Sequence, residues 1–89
     1  MFEPIYTTAF EKDIKLAIKR GKKLEKLKEI VELLTSKTAL PIKYRDHQLV
    51  GNFKGRRECH IEPDWLLIYK IDNTCIIFER TGTHSDLFK

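Results

Sequence analysis

The chain has 89 residues, 42 % of them hydrophobic, and a formal net charge of +4. A chain of this length makes one domain, residues 1–89, with one core, since it buries only about 60–65 % of its unfolded surface. The longest apolar run, Trp65 to Tyr69, is far too short to span a bilayer. No charged segment leads into an apolar one as in a secretory signal, so the expectation is a cytoplasmic protein with no membrane partner. Cys59 and Cys75 fall in predicted strands and read as buried free thiols of a reducing compartment.

Phe2 to Tyr6 reads as a short strand, with Pro4 marking an edge or a strand start. Thr8-Ala9-Phe10-Glu11 fits a capping box, in which a hydroxyl and a carboxylate three residues on satisfy free N–H groups. A helix follows, with Phe10, Ile14, Ala17 and Ile18 on one face, and Gly21 supplies the left-handed residue that ends it. A second helix runs from Lys22 to Ser36 on a stripe of Leu24, Leu27, Val31 and Leu34 that Ile30 widens. Thr38 to Gly51 is a loop. Phe53 to Ile61 alternates as a strand, Pro63-Asp64 makes a turn, Trp65 to Ile71 is a central strand, Asp72-Asn73 turns again, and Cys75 to Arg80 is a last strand. From Thr83 the tail forms one helical turn. The class is α+β: a short strand, a two-helix hairpin, an antiparallel three-stranded meander and a C-terminal helical turn.

Charge is unevenly placed. Residues 1–45 hold eleven Lys or Arg against six Asp or Glu, and residues 46–89 hold six against seven. The excess lies on Lys12, Lys15, Lys19, Arg20, Lys22, Lys23, Lys26 and Lys28. It is either a solvated helical face or a surface for a polyanion or an acidic peptide.

All three histidines, His47, His60 and His84, lie in the second half. Alternation places Arg56, Glu58 and His60 on one strand face and Arg57, Cys59 and Ile61 on the other. His60 is thus expected on a polar face, with Asp64 of the following turn near it. His47 precedes this strand and His84 follows the last one, so the rim of one sheet could gather all four. A zinc site is one reading of such a set, but the spacing matches no compact ligand signature and no cysteine joins it, so neither a metal nor a cofactor is expected. Cysteine nucleophiles are disfavoured because both thiols sit in apolar-flanked strands.

Acid–base cleavage of RNA fits better. RNA carries its own nucleophile, the 2′-hydroxyl. A protein needs to remove that proton, protonate the leaving 5′-oxygen and stabilise the phosphate. Imidazole, with an unperturbed pKa of roughly 6.5, suits both transfers, each contributing about 10²–10⁴-fold. Arginine matches phosphate oxygens with its fork of donors. Phe88 can stack an unpaired base, and Arg56 and Lys54 can meet the backbone. Each of these has a plainer reading: a surface histidine, an ion pair of Arg80 with Glu79, Glu58 or Asp86, and Phe88 as a cap on the sheet edge.

The order of Asp46-His47-Gln48-Leu49, Lys54-Gly55-Arg56, His60-Ile61-Glu62-Pro63-Asp64-Trp65, Leu67-Ile68-Tyr69-Lys70 and Phe78 to His84 with Leu87-Phe88 resembles the YafQ-like branch of the RelE superfamily. These are toxins of bacterial type II toxin–antitoxin pairs. The resemblance implies a RelE-like fold and an endoribonuclease that cleaves mRNA, usually at the ribosome. It implies catalytic roles for His47, His60, Asp64 and His84, base stacking by Phe88 and a supporting role for Arg80. It also implies an antitoxin that wraps the toxin, and operator DNA bound only through the complex. An alternative is a module of the same fold that binds nucleic acid or antitoxin without catalysis.

Overall fold

The computed structural model describes residues 1–88; Lys89, the last residue of the expected domain, lies outside them. The chain runs β1 (Glu3–Tyr6), α1 (Thr8–Lys19), α2 (Leu24–Thr35), β2 (His47–Gln48), β3 (Arg57–Glu62), β4 (Trp65–Asp72), β5 (Cys75–Gly82) and α3 (His84–Leu87). One five-stranded sheet has the order β1-β5-β4-β3-β2. The meander β3-β4-β5 is antiparallel and β1 joins β5 in parallel. β4 is central and β1 is an edge, where Pro4 costs no ladder bond.

The helices cover one face. Phe10 and Ala17 of α1 and Leu27, Ile30 and Leu34 of α2 pack on Cys59, Ile61, Trp65, Leu67, Tyr69, Ile76 and Phe78. A smaller cluster of Leu66, Ile68 and Leu87, with Leu49 against it, lies apart. Leu66 and Ile68 alternate with Trp65, Leu67 and Tyr69 along β4, so this second cluster occupies the opposite sheet face. Trp65 is buried, and its indole N–H donates to Thr81 Oγ1 at 3.0 Å, while that hydroxyl donates to Leu66 O at 2.7 Å. The pair ties the start of β4 to the end of β5.

Several expectations need correction. The N-cap of α1 is Thr7, one residue earlier than expected: its Oγ1 accepts from Phe10 N–H at 3.0 Å and donates to Glu79 O at 2.8 Å. The second contact is long-range, which explains the choice between two adjacent threonines. A full capping box stands elsewhere, with Thr83 and Asp86 starting α3. Ile18 is 55 % exposed and leaves the α1 core face to Phe10, Ile14 and Ala17. Gly21 has φ +78 and ends α1 as expected. α2 begins at Leu24, later than Lys22, after an uncapped Lys23.

The strand expected from Phe53 starts only at Arg57. Gly51 and Gly55 adopt φ +69 and +89, and residues 51–53 form a 3₁₀ turn closed by Lys54 N–H to Gly51 O. The loop from Thr38 also contains the short β2, which pairs His47 with Glu58 and Gln48 with Arg57.

Candidate active site

Two irregularities in the sheet aim the site. Between β3 and β4, His60 pairs with Leu66 and Glu62 with Trp65, which leaves Ile61 as an extra residue just before the Pro63-Asp64 turn. Between β4 and β5, Ile68 pairs with Arg80 and Tyr69 with Phe78, which leaves Glu79 extra. Such bulges turn a strand locally and redirect its side chains.

The three histidines do converge. The ring centroids of His47 and His60 are 6.2 Å apart, and those of His60 and His84 are 5.9 Å apart. Phe88 lies next in the row, 6.4 Å from His84. The row therefore joins β2, β3 and α3. Its floor is the smaller apolar cluster, since Glu58 and His60 pair across the sheet with Ile68 and Leu66.

Each ring is held differently. His84 Nδ1 donates to Asp64 Oδ1 at 2.6 Å, and the His84 backbone N–H donates to the same oxygen at 2.9 Å. These bonds hold the Asp64 carboxyl below its ordinary range, the backbone N–H being the larger cause. Asp64 therefore fixes the His84 tautomer, with the proton on Nδ1 and the lone pair on Nε2. Asp64 was expected near His60, yet its direct bonds go to His84. His60 instead places Nδ1 3.4 Å from Pro63 O and Nε2 3.3 Å from Glu58 Oε1. His47 donates from Nδ1 to Arg45 O at 2.7 Å, and its Nε2 stands 3.5 Å from the same Glu58 oxygen.

The loop that carries His47 is anchored one residue earlier. Asp46 accepts from Tyr69 Oη at 2.5 Å and from Arg57 Nη2 at 3.1 Å. Burial, then the Asp46 bond, push the Tyr69 hydroxyl up, so it stays a neutral donor. Arg45 beside it adopts the left-handed conformation with φ 52.

The tail is clipped to α1. Arg20 grips Asp86 at 2.6 and 3.2 Å, and Asp86 also accepts from Thr83 N–H at 2.9 Å. A Cβ on Gly82 would stand 2.9 Å from Asp86 Oδ2, so the close approach requires glycine. The Arg20 bond is the main reason that the Asp86 carboxyl titrates well below the ordinary range. Stability from a depressed carboxyl is complete above its unfolded value, about pH 4, and is lost as pH falls through the folded one. Native protein should lose stability on acidification below about pH 4, partly through Asp64 as well, and Asp86→Asn should flatten that slope. Urea midpoints collected through that window check the sign.

The remaining expected residues are placed as follows. Arg80 donates from Nε and Nη2 to Asp13 of α1 at 2.7 and 3.1 Å, not to Glu79, Glu58 or Asp86. Arg56 pairs with Glu79, the bulged residue. Lys54 is exposed, beside Gln48, Leu49 and Gly51. Phe88 is 37 % exposed and meets Phe53 edge-to-face at 5.2 Å, a support that the sequence did not suggest. Glu58 is the other unanticipated member, although alternation with His60 was the signal for it.

Cys59 is buried and Cys75 partly so, both free. Burial pushes the Cys59 thiol up, away from a reactive thiolate. Among the described residues no three His, Cys, Asp and Glu side chains stand together as a set that could hold a metal ion. No described helix is long and apolar enough to cross a membrane.

Residues 2–89 match the family described as bacterial toxin of type II toxin–antitoxin system, YafQ. The mRNA interferase toxin YafQ of Escherichia coli (strain K12) is 51 % identical over 84 residues, covering 93 % of this chain and 91 % of the relative. The crystal structure of YafQ from E. coli strain BL21(DE3) matches over 100 % of both chains, with a TM-score of 0.95 and 47 % identity. The YafQ chain of the E. coli DinJ–YafQ complex matches over 100 % of both chains, with a TM-score of 0.92 and 47 % identity. The chain belongs to the YafQ family of bacterial type II toxins.

Proposed function

We propose that this toxin is an endoribonuclease that cleaves mRNA by acid–base catalysis with its own side chains, on ribosome-bound message. The observation that carries the reading is the row of His47, His60 and His84 ending at Phe88. The mRNA interferase name of the E. coli relative supports the same substrate.

His60 and His84 form the proton-transfer pair. One ring takes the proton of the 2′-hydroxyl as that oxygen bonds to phosphorus. The other gives a proton to the 5′-oxygen as its bond to phosphorus breaks, leaving a 2′,3′-cyclic phosphate and a 5′-hydroxyl. Asp64 orients His84, and His47 contacts the phosphate or assists the acid. Asp13 takes one N–H each of Arg80 Nε and Nη2, so stabilisation of the phosphate falls to the two N–H groups of Nη1 and the second of Nη2. Phe88, braced by Phe53, stacks a base, which is worth roughly 1–3 kcal/mol. A cleft of about 400 Å³ lies beside His60; Glu29 and Glu62 line it with Lys26, Lys43 and Arg45, and Lys26 pairs with Glu62, so Lys43 and Arg45 are the cations it offers the strand. Lys54 and Arg56 meet the backbone on the other side.

The E. coli relative forms a DinJ–YafQ complex. By the same reading this toxin has a cognate antitoxin, whose acidic wrapping segment meets the basic surface of α1 and α2, and the pair binds operator DNA as a complex.

Primer extension on cellular mRNA after brief induction, native protein against His84→Ala, tests the function. New cuts with the native protein alone, at equal soluble levels, are expected. No cuts with either, in a host that lacks the antitoxin, would move the assignment to a non-catalytic binding module.

A further inference from the structure

We propose that Glu58 is a positioning residue that orients His60 and His47 together and faces the positive charge that forms when one of them takes a proton; this rests on the RNA-cleavage reading. Glu58 is 5 % exposed on β3, between the two rings. A buried carboxylate needs donors or positive partners nearby. Among the described residues, its ion-pair partners are His60 Nε2 at 3.3 Å and His47 Nε2 at 3.5 Å, both on Oε1.

The opposite nitrogen of each ring faces a backbone carbonyl, Arg45 O at 2.7 Å for His47 and Pro63 O at 3.4 Å for His60. Each imidazole thus lies between a carbonyl and one shared carboxylate oxygen. Both neighbours are acceptors, so a ring that gains a proton finds a partner for each N–H. Glu58 itself gives up and receives no proton in this role. Its surroundings exclude water, so its attraction for an adjacent imidazolium exceeds that of an exposed carboxylate.

The arrangement also makes the site two-sided. Asp64 serves His84 from an exposed position, with 64 % of its side chain accessible, and Glu58 serves His60 and His47 from a buried one, with 6 % accessible. The two units meet where His60 and His84 face each other across 5.9 Å. A carboxylate behind each member of a proton-exchanging pair is the orienting logic of acid–base triads.

Glu58→Gln keeps the shape and removes the charge. It should lower kcat about 10²-fold or more while KM stays within about threefold. The ring ¹⁵N resonances of His47 and His60 should shift on this substitution and those of His84 should not. Native kcat, or unmoved His47 and His60 resonances in a folded variant, would overturn the proposal. Should Glu58→Gln fail to fold, Glu58→Asp, which retains the charge on a shorter arm, should still perturb the same two rings and lower kcat. The resonances answer for positioning alone: if they shift but native protein cuts no RNA, the cleavage reading falls and the orienting contact stands.

Discussion

His60→Ala and His84→Ala should each slow RNA cleavage about 10²–10⁴-fold, and the double variant should fall far short of the product of the two losses. The reason is geometric. The rings sit 5.9 Å apart on separate elements, each with its own carboxylate. Proton removal at the 2′-oxygen and proton delivery at the 5′-oxygen belong to one displacement. Once one transfer is lost, the remaining ring has less of the reaction left to accelerate, and residues that act as a unit show such non-additivity. Single-turnover cleavage of a short message, programmed on ribosomes and free, gives all four rates. A fully multiplicative double variant would mean that the two histidines act independently. His47→Ala should cost less than either, because its ring lies at the far end of the row, 6.2 Å beyond His60.

Much of this site is legible in the sequence. Strict alternation placed His60 and Glu58 on one face of β3, and strand order put His84 at the end of the meander. The convergence itself depended on features without a periodic signal. β2 is two residues long and cannot show alternation, yet it sets His47 against Glu58. The bulges at Ile61 and Glu79 insert one residue each, and a pattern of period two gives no warning of them. Long-range ion pairs were the least readable. Arg80 chose Asp13, 67 positions away, over three carboxylates nearer in sequence or in expected placement. The basis is that Asp13 Oδ2 also accepts the Thr81 N–H at 3.0 Å, so one carboxylate serves both the guanidinium and the backbone of β5. The cap of α1 lies one residue before the local motif because Thr8 alone has a glutamate three residues on, whereas Thr7 gains long-range bonds to Glu79 O and Phe78 O.

Trp65→Ala should destabilise the protein by about 3–5 kcal/mol, a large share of the 5–15 kcal/mol that holds a typical domain together. The indole is 1 % exposed within the main core, and its removal opens a cavity there. The loss reaches the candidate site by a short route. Trp65 directly follows Asp64, and its bond to Thr81 ties that turn to the segment leading into His84. Asp64 then meets His84 through two hydrogen bonds to one oxygen. Without the indole, the Thr81–Leu66 bond, strand pairing and exposed contacts are what remain to join the two ends of this link. Trp65→Phe separates packing from hydrogen bonding. It fills most of the volume but leaves the Thr81 hydroxyl without its indole donor, and should cost about 1–3 kcal/mol. Urea denaturation followed by circular dichroism measures both stabilities. Cleavage at a temperature where Trp65→Phe remains fully folded then reads the placement of Asp64. A folded Trp65→Phe variant with a lowered rate would mark the Trp65–Thr81 bond as part of what aims His84, whereas a native rate would confine the indole to the core.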